Sequence, residues 1–133
     1  ACYAEGIGEQ LMPVSGPNDN LHGYHIVIVK RDDIAVSTKE AYAAITPKKP
    51  AKCCRNIVRQ PIDTWKDELI NDFEAPIFAM HPELAEIKEK LYQLGASYAA
   101  MSGSGSAIFG IFKNKPAHIE EQFEGMFCKS LKL

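Results

Sequence analysis

The sequence predicts an α+β domain in which helices lie mainly on one face of an antiparallel sheet, and three observations predict it. Residues 24–30 read Tyr-His-Ile-Val-Ile-Val-Lys, a short β-branched run that favours a buried strand over a helix. Residues 82–94 place Leu84, Ile87, Leu91 and Leu94 at helical spacing, with Pro82 suited to the first helical position and Gly95 to the stop. Residues 96–101 and 107–112 are two apolar strand candidates joined by Ser102-Gly103-Ser104-Gly105-Ser106. The resulting order of strand, helices, strand, strand, helix, strand fits a split β-α-β arrangement.

The remaining elements follow from local chemistry. The chain opens at Ala1 directly into the strand-like Cys2-Tyr3-Ala4, turns at residues 6–8 and continues to a short strand at 11–14, an opening that suggests a piece cut from a larger sheet. Residues 15–22, with Gly16, Pro17, Asn18 and Asp19, form a turn-rich connection, and a boundary is placed there: 1–19 as trailing strands of a preceding domain, 20–133 as the domain proper. Ser37 and Glu40 have capping-box spacing, so a helix is expected over 38–45. Pro47 and Pro50 interrupt the chain before a helical piece at 51–58, and Pro61 stops it again. Trp65 belongs to a short helix, Asn71 and Asp72 offer caps for another reaching Phe78, and Glu86 faces Lys90 one turn on. A last helix is expected over 117–126 and a last strand over 127–133.

Composition narrows the function. A chain of 133 residues with 46% hydrophobic content builds one real core, and 15 basic against 17 acidic residues leave no basic surface for a nucleic acid. No window approaches the roughly 18 apolar residues of a membrane span, and the amino end lacks a signal-peptide pattern, so a cytoplasmic protein with no membrane partner is expected. Cys2, Cys53, Cys54 and Cys128 match neither a zinc pair nor a disulfide framework, and free thiols are expected.

The stretch from Met101 to Gly110 is the most informative. Alternating glycines let the backbone take positive φ and turn its amides inward as a nest for an anion, with the hydroxyls of Ser102, Ser104 and Ser106 adding donors. A flexible linker or a wide hairpin loop is the competing reading, but a linker belongs between domains and this segment lies between two strand candidates. It is not a P-loop, because no Lys follows the last Gly and a strand comes next.

The run GASYAAMSGSGSAIFGIF resembles the third signature motif of the GHMP kinases, the glycine-rich loop of their C-terminal domain. AEGIGEQLMPV, VSTKEAY, NDFE and HPELAEIKEKLYQLGA resemble, in that order, the corresponding parts of the diphosphocytidyl-methylerythritol kinases within that family, so the likeness covers nearly the whole chain. The resemblance implies a ferredoxin-like C-terminal domain. It implies that the parent protein phosphorylates a hydroxyl of its diphosphocytidyl substrate with ATP and Mg2+, for isoprenoid synthesis by the non-mevalonate route. It also implies that the longer phosphate loop and the catalytic Lys and Asp belong to an N-terminal domain absent from this sequence. This chain then carries no catalytic residue and no metal ligand, binds no cofactor strongly and is inactive alone, with that N-terminal domain as its partner.

Two residues carry over individually: Thr38, where the family places a hydroxyl near the substrate, and Tyr42, which matches the aromatic that stacks on cytosine. A spacing of four puts both on one helix face, and stacking needs area rather than charge. The competing reading makes Thr38, Ala41, Tyr42 and Ile45 the buried face of an amphipathic helix. Other candidates carry less. His22 and His25 lack the ligands to complete a metal site, His81 ends a loop before Pro82, Asp72 and Glu74 suit a helix start through its dipole, and Trp65 suits packing. Two alternatives remain open: another GHMP member such as a homoserine or mevalonate kinase, or a stand-alone ferredoxin-like ligand-binding module. With half of its packing surface absent, the glycine loop is expected to be mobile.

Overall fold

A computed structural model describes residues 2–14, 21–46 and 48–133. The connection expected over 15–22 lies largely outside these residues, as do the 19/20 boundary, Ala1 and Pro47. The chain runs β1 (Cys2–Glu5), β2 (Gln10–Pro13), β3 (His25–Lys30), α1 (Thr38–Ala44), α2 (Cys54–Ile57), α3 (Trp65–Glu68), α4 (Glu74–Met80), α5 (Pro82–Gln93), β4 (Tyr98–Met101), β5 (Ile108–Phe112) and β6 (Phe127–Lys132). Strands β1 and β2 form a separate antiparallel hairpin. The other four make an antiparallel sheet in the order β4-β5-β3-β6, so the β-branched strand β3 is central and β4 is an edge. This is the predicted α+β, ferredoxin-like arrangement.

Alternation along the strands splits the core into two clusters. Val27 and Val29 of β3, Ala99 and Met101 of β4, and Ile108 and Phe112 of β5 meet Leu84, Ile87 and Leu91 of α5, Ile77 of α4 and Ala41 of α1. On the other face, Tyr98, Ala100 and Ile111 form a smaller cluster with Ile57, Ile62 and Trp65. Trp65 is buried and its indole donates to the Gln60 carbonyl, consistent with packing. Ile62 opens a single 3-10 turn ahead of α3.

Helix α5 ends as expected. The Ala96 amide donates to the Leu91 carbonyl and the Gly95 amide to that of Tyr92, with Gly95 at φ 96°, a Schellman stop that turns the chain straight into β4. Gly110 of β5 lies beneath the helix. A Cβ there would stand 3.3 Å from Leu91 and 3.0 Å from Phe112, so its lack of a side chain sets how closely α5 meets the sheet. His81 closes α4 directly against Pro82 of α5, with no loop between them. Lys90 does not turn to Glu86; it donates to the Gln122 carbonyl and lies over the Phe123 ring.

Two helical expectations are corrected. The piece expected over 51–58 is helical only at Cys54–Ile57. The helix expected over 117–126 is a turn followed by a 3-10 turn at Glu121–Phe123. His118 stands at φ 51° and Gly125 at φ 78°, which no α-helix tolerates. Ile119 and Phe123 nevertheless reach the core, and that shared burial at four-residue spacing is what imitated a helix. All four cysteines are free, and the Tyr3 hydroxyl of the hairpin lies 3.7 Å from the Cys53 sulfur. That contact holds the Cys53 thiol below its usual range and pushes the Tyr3 phenol up to about 12.

Candidate functional site

Three segments converge at the C-terminal end of β4. The first is the loop of residues 102–106, with Gly103 at φ 56°, Gly105 at φ 97° and a cis peptide between Gly105 and Ser106. A Cβ on Gly105 would stand 2.9 Å from the Met101 sulfur and 3.4 Å from Val36, so both conformation and space demand glycine there. The second is the N-terminus of α1, where the Ser37 hydroxyl accepts from the Glu40 amide, the expected Ser half of the capping box. The third is the turn at Asn71 that opens α4.

The loop is held on several sides. The Ser102 amide donates to the Ala107 carbonyl at 2.8 Å and the Gly105 amide to that of Ser102 at 3.0 Å. Ser106 is buried and its hydroxyl donates to the Ile34 carbonyl at 2.8 Å. The Thr38 and Ser104 hydroxyls share a hydrogen bond of 3.2 Å. Asn71 Nδ2 donates to the carbonyls of Met101 and Gly103, both at 2.8 Å. The expectation of a mobile loop did not foresee these ties, which come from this chain's own residues.

The amides of Gly103, Ser104 and Ser106 find no partner among the described residues. Three amides without a partner, the exposed Ser102 hydroxyl and the lack of any acidic side chain in the loop suit an oxyanion such as a phosphate. Cation sites are another matter: among the described residues, no group of three His, Cys, Asp or Glu side chains could hold a metal ion.

Thr38 and Tyr42 both face outward on α1. Tyr42 is 63% exposed, while Ala41 beside it is fully buried. The buried-face reading of this helix therefore fails for Tyr42. Its ring forms a T-shaped pair with Phe73, centroids 4.9 Å apart and planes at 78°, and its exposure leaves ring surface open to a planar ligand. Beyond it, the C-terminal end of α1 and the start of α4 border an open groove of about 620 Å³ lined by Ile45, Lys48, Ile70, Pro76, Phe78 and Lys88.

Sequence reasoning missed the roles of Asn71 and Glu74. Asn71 was expected to cap the helix and Glu74 to suit its dipole; α4 instead starts after Phe73 with no side-chain cap, and Asn71 Oδ1 accepts from the Phe73 amide at 3.0 Å. Glu74, however, is only 7% exposed, accepts from the Met101 amide at 2.7 Å and pairs with Lys88 at 2.6 Å. A buried charge at the first residue of a helix announces itself only by its partners, and those are far away in sequence.

Comparison with known proteins matches the family model described as GHMP kinases C terminal to residues 55–127, more than half of the chain. The chain belongs to the GHMP kinase C-terminal family. Within it, the chain is 47% identical over 120 residues to 4-diphosphocytidyl-2-C-methyl-D-erythritol kinase of Parabacteroides distasonis, covering 90% of this chain and 42% of that one. It is 44% identical over 126 residues to the enzyme of the same name from Bacteroides fragilis, covering 95% and 44%. This member of the family thus spans less than half the length of these relatives. A crystal structure of 4-(cytidine 5'-diphospho)-2C-methyl-D-erythritol kinase superposes with a TM-score of 0.69 at 26% identity, over 98% of this chain and 49% of that one. Homoserine kinase of Cytophaga hutchinsonii, with a TM-score of 0.50 at 14% identity over 92% of this chain and 44% of its own, shares the fold alone.

Proposed function

We propose that this chain is the substrate-side, C-terminal half of an ATP-dependent kinase that phosphorylates a hydroxyl of 4-diphosphocytidyl-2-C-methyl-D-erythritol, a step of non-mevalonate isoprenoid synthesis in the cytoplasm. The observation that carries the reading is the 3.2 Å contact between Thr38 and Ser104, which joins the helix bearing Tyr42 to the glycine loop. A nucleobase stacked on Tyr42 and a phosphate on the loop would then lie along one continuous surface. The names of the relatives supply the substrate, and the exposed ring supplies the physical reason for a cytosine end.

Each residue has a definite task in this reading. Tyr42 offers area to the base, Thr38 offers a hydroxyl to the substrate, and the amides of Gly103, Ser104 and Ser106 offer a fixed set of donors to phosphoryl oxygens of ATP. Because these donors are held before ligand arrives, little is spent on reorganising them as charge develops. When bound, ATP supplies the transferred phosphoryl group. Residues 1–19 are read as trailing strands of a preceding domain, a reading supported by the separation of the β1-β2 hairpin from the main sheet. That domain would hold the catalytic pair and the longer phosphate loop, leaving this half inactive alone.

Calorimetric titration of the natural-length protein with the diphosphocytidyl substrate, homoserine and mevalonate separates the candidates. Binding of the first alone is expected. Tight binding of either of the others, with none of the first, would overturn the assignment.

A further inference from the structure

We propose that Asn71 and Glu74 are positioning residues that set the shape of the 102–106 loop from behind, through the last residue of β4. Strand β4 lies at the sheet edge, and Met101 forms its final register pair, with Ile108. The Met101 amide and carbonyl are nevertheless both satisfied, and by side chains. Glu74 Oε1 accepts from the amide at 2.7 Å, and Asn71 Nδ2 donates to the carbonyl at 2.8 Å. Together the two side chains stand in for a neighbouring strand exactly where the backbone leaves the sheet, and buried backbone groups require such partners. Two residues further back, the Tyr92 hydroxyl donates to the Ala99 carbonyl at 3.1 Å and satisfies the same edge.

Edge satisfaction alone would need nothing beyond Met101. Asn71 spends its second N–H on the Gly103 carbonyl, inside the loop, at 2.8 Å. That bond fixes the peptide plane after Gly103, whose φ of 56° begins the turn, and so fixes where the neighbouring Ser104 amide points. Asn71 Oδ1 is held in turn by the Phe73 amide, and Glu74 Oε2 by Lys88 at 2.6 Å, so both side chains have their orientation set by α4 and α5. Asn71 thereby uses both donors and its acceptor on backbone groups. Any phosphate on the loop would be felt by Asn71 and Glu74 only through the backbone they hold. The kinetic part of this inference rests on the phosphate reading given above; the structural part does not.

The test uses the natural-length protein. Asn71→Ser keeps an oxygen for the Phe73 amide and removes both donors to the loop. Glu74→Gln keeps an acceptor for the Met101 amide, and Ile57→Val perturbs the other core cluster as a stability control. In Asn71→Ser, hydrogen exchange of the Ser102 and Gly105 amides is expected to quicken about tenfold, as loss of a hydrogen bond's worth of local stability implies. The turnover number should fall with an unchanged Michaelis constant for the diphosphocytidyl substrate, while Glu74→Gln retains near-normal exchange at both amides. Exchange in Asn71→Ser that matches wild type, or rises no more than in Ile57→Val, overturns the proposal. Faster exchange with an unchanged turnover number upholds the positioning and removes the phosphate reading of the loop, so the two fail separately.

Discussion

Tyr42 shows how an exposed residue can matter without supporting the fold. Its ring is mostly exposed and pairs with Phe73 in a T-shaped contact, so Tyr42→Ala should change the stability of the chain by under about 1 kcal/mol. Binding of the diphosphocytidyl substrate by the natural-length protein should weaken by roughly 1–3 kcal/mol, the worth of one base stack. Paired thermal melts and calorimetric titrations check both numbers; an unchanged affinity would remove Tyr42 from the binding surface. Gly105 is the opposite case. With φ at 97° and the Met101 sulfur within 2.9 Å of a built Cβ, Gly105→Ala should cost roughly 1–3 kcal/mol of strain, visible as a lowered denaturant midpoint with an unchanged slope. A neutral Gly105→Ala would mean that the loop readily takes another shape.

At the scale of elements, α5 packs on β5 in the main core through Leu91, Phe112 and the bare backbone of Gly110. Gly110→Ala pushes a methyl into Leu91 and Phe112 and should destabilise by roughly 1–3 kcal/mol, while Leu91→Ala should cost roughly 2–5 kcal/mol through the cavity it leaves. Urea unfolding of each variant measures these costs. On the other face, Tyr98 is buried and its hydroxyl donates to the Leu69 carbonyl at 2.8 Å. Burial holds its phenol well above the ordinary tyrosine range, with the Glu74 charge adding to the effect. The folded state therefore keeps this proton when the unfolded chain gives it up. The stabilisation is complete below about pH 10 and is lost progressively as pH rises above that value. Tyr98→Phe should remove that alkaline loss, which melting curves between neutral pH and pH 11 would reveal as a flatter limb.

These elements also show what a sequence discloses. Helix α5 was legible because three local signals agree: Pro82 at the start, the stripe from Leu84 to Leu91, and Gly95 at the stop. Strand β3 was legible for the same reason, its β-branched run having no helical alternative. Residues 117–126 misled because Ile119 and Phe123 are buried at helical spacing, while the left-handed backbone of His118 has no sequence signal comparable to a glycine. In the candidate site, Thr38 and Tyr42 came from the family resemblance, and the glycine loop from its own alternation of Gly and Ser. Glu74 was not, since its meaning lies in Met101 and Lys88, both distant along the chain.

Across the whole molecule, a sheet covered by long helices on one face leaves the glycine loop, α1 and the Asn71 turn gathered at one end of β4. Isoleucine, phenylalanine and leucine side chains at Ile7, Leu11, Ile70, Phe127 and Leu131 remain exposed, on the hairpin, beside the groove and on β6. No helix among the described residues is long and apolar enough to cross a membrane. The chain spans less than half the length of the relatives it matches, and the proposed substrate-side surface lies within it. The most direct measurement is therefore coupled ATP turnover with the diphosphocytidyl substrate, run in parallel on the 133-residue chain and on the natural-length protein. Turnover by the natural-length protein and none by the 133-residue chain is expected. Substantial turnover by the 133 residues alone would contradict the assignment of the catalytic groups to another domain.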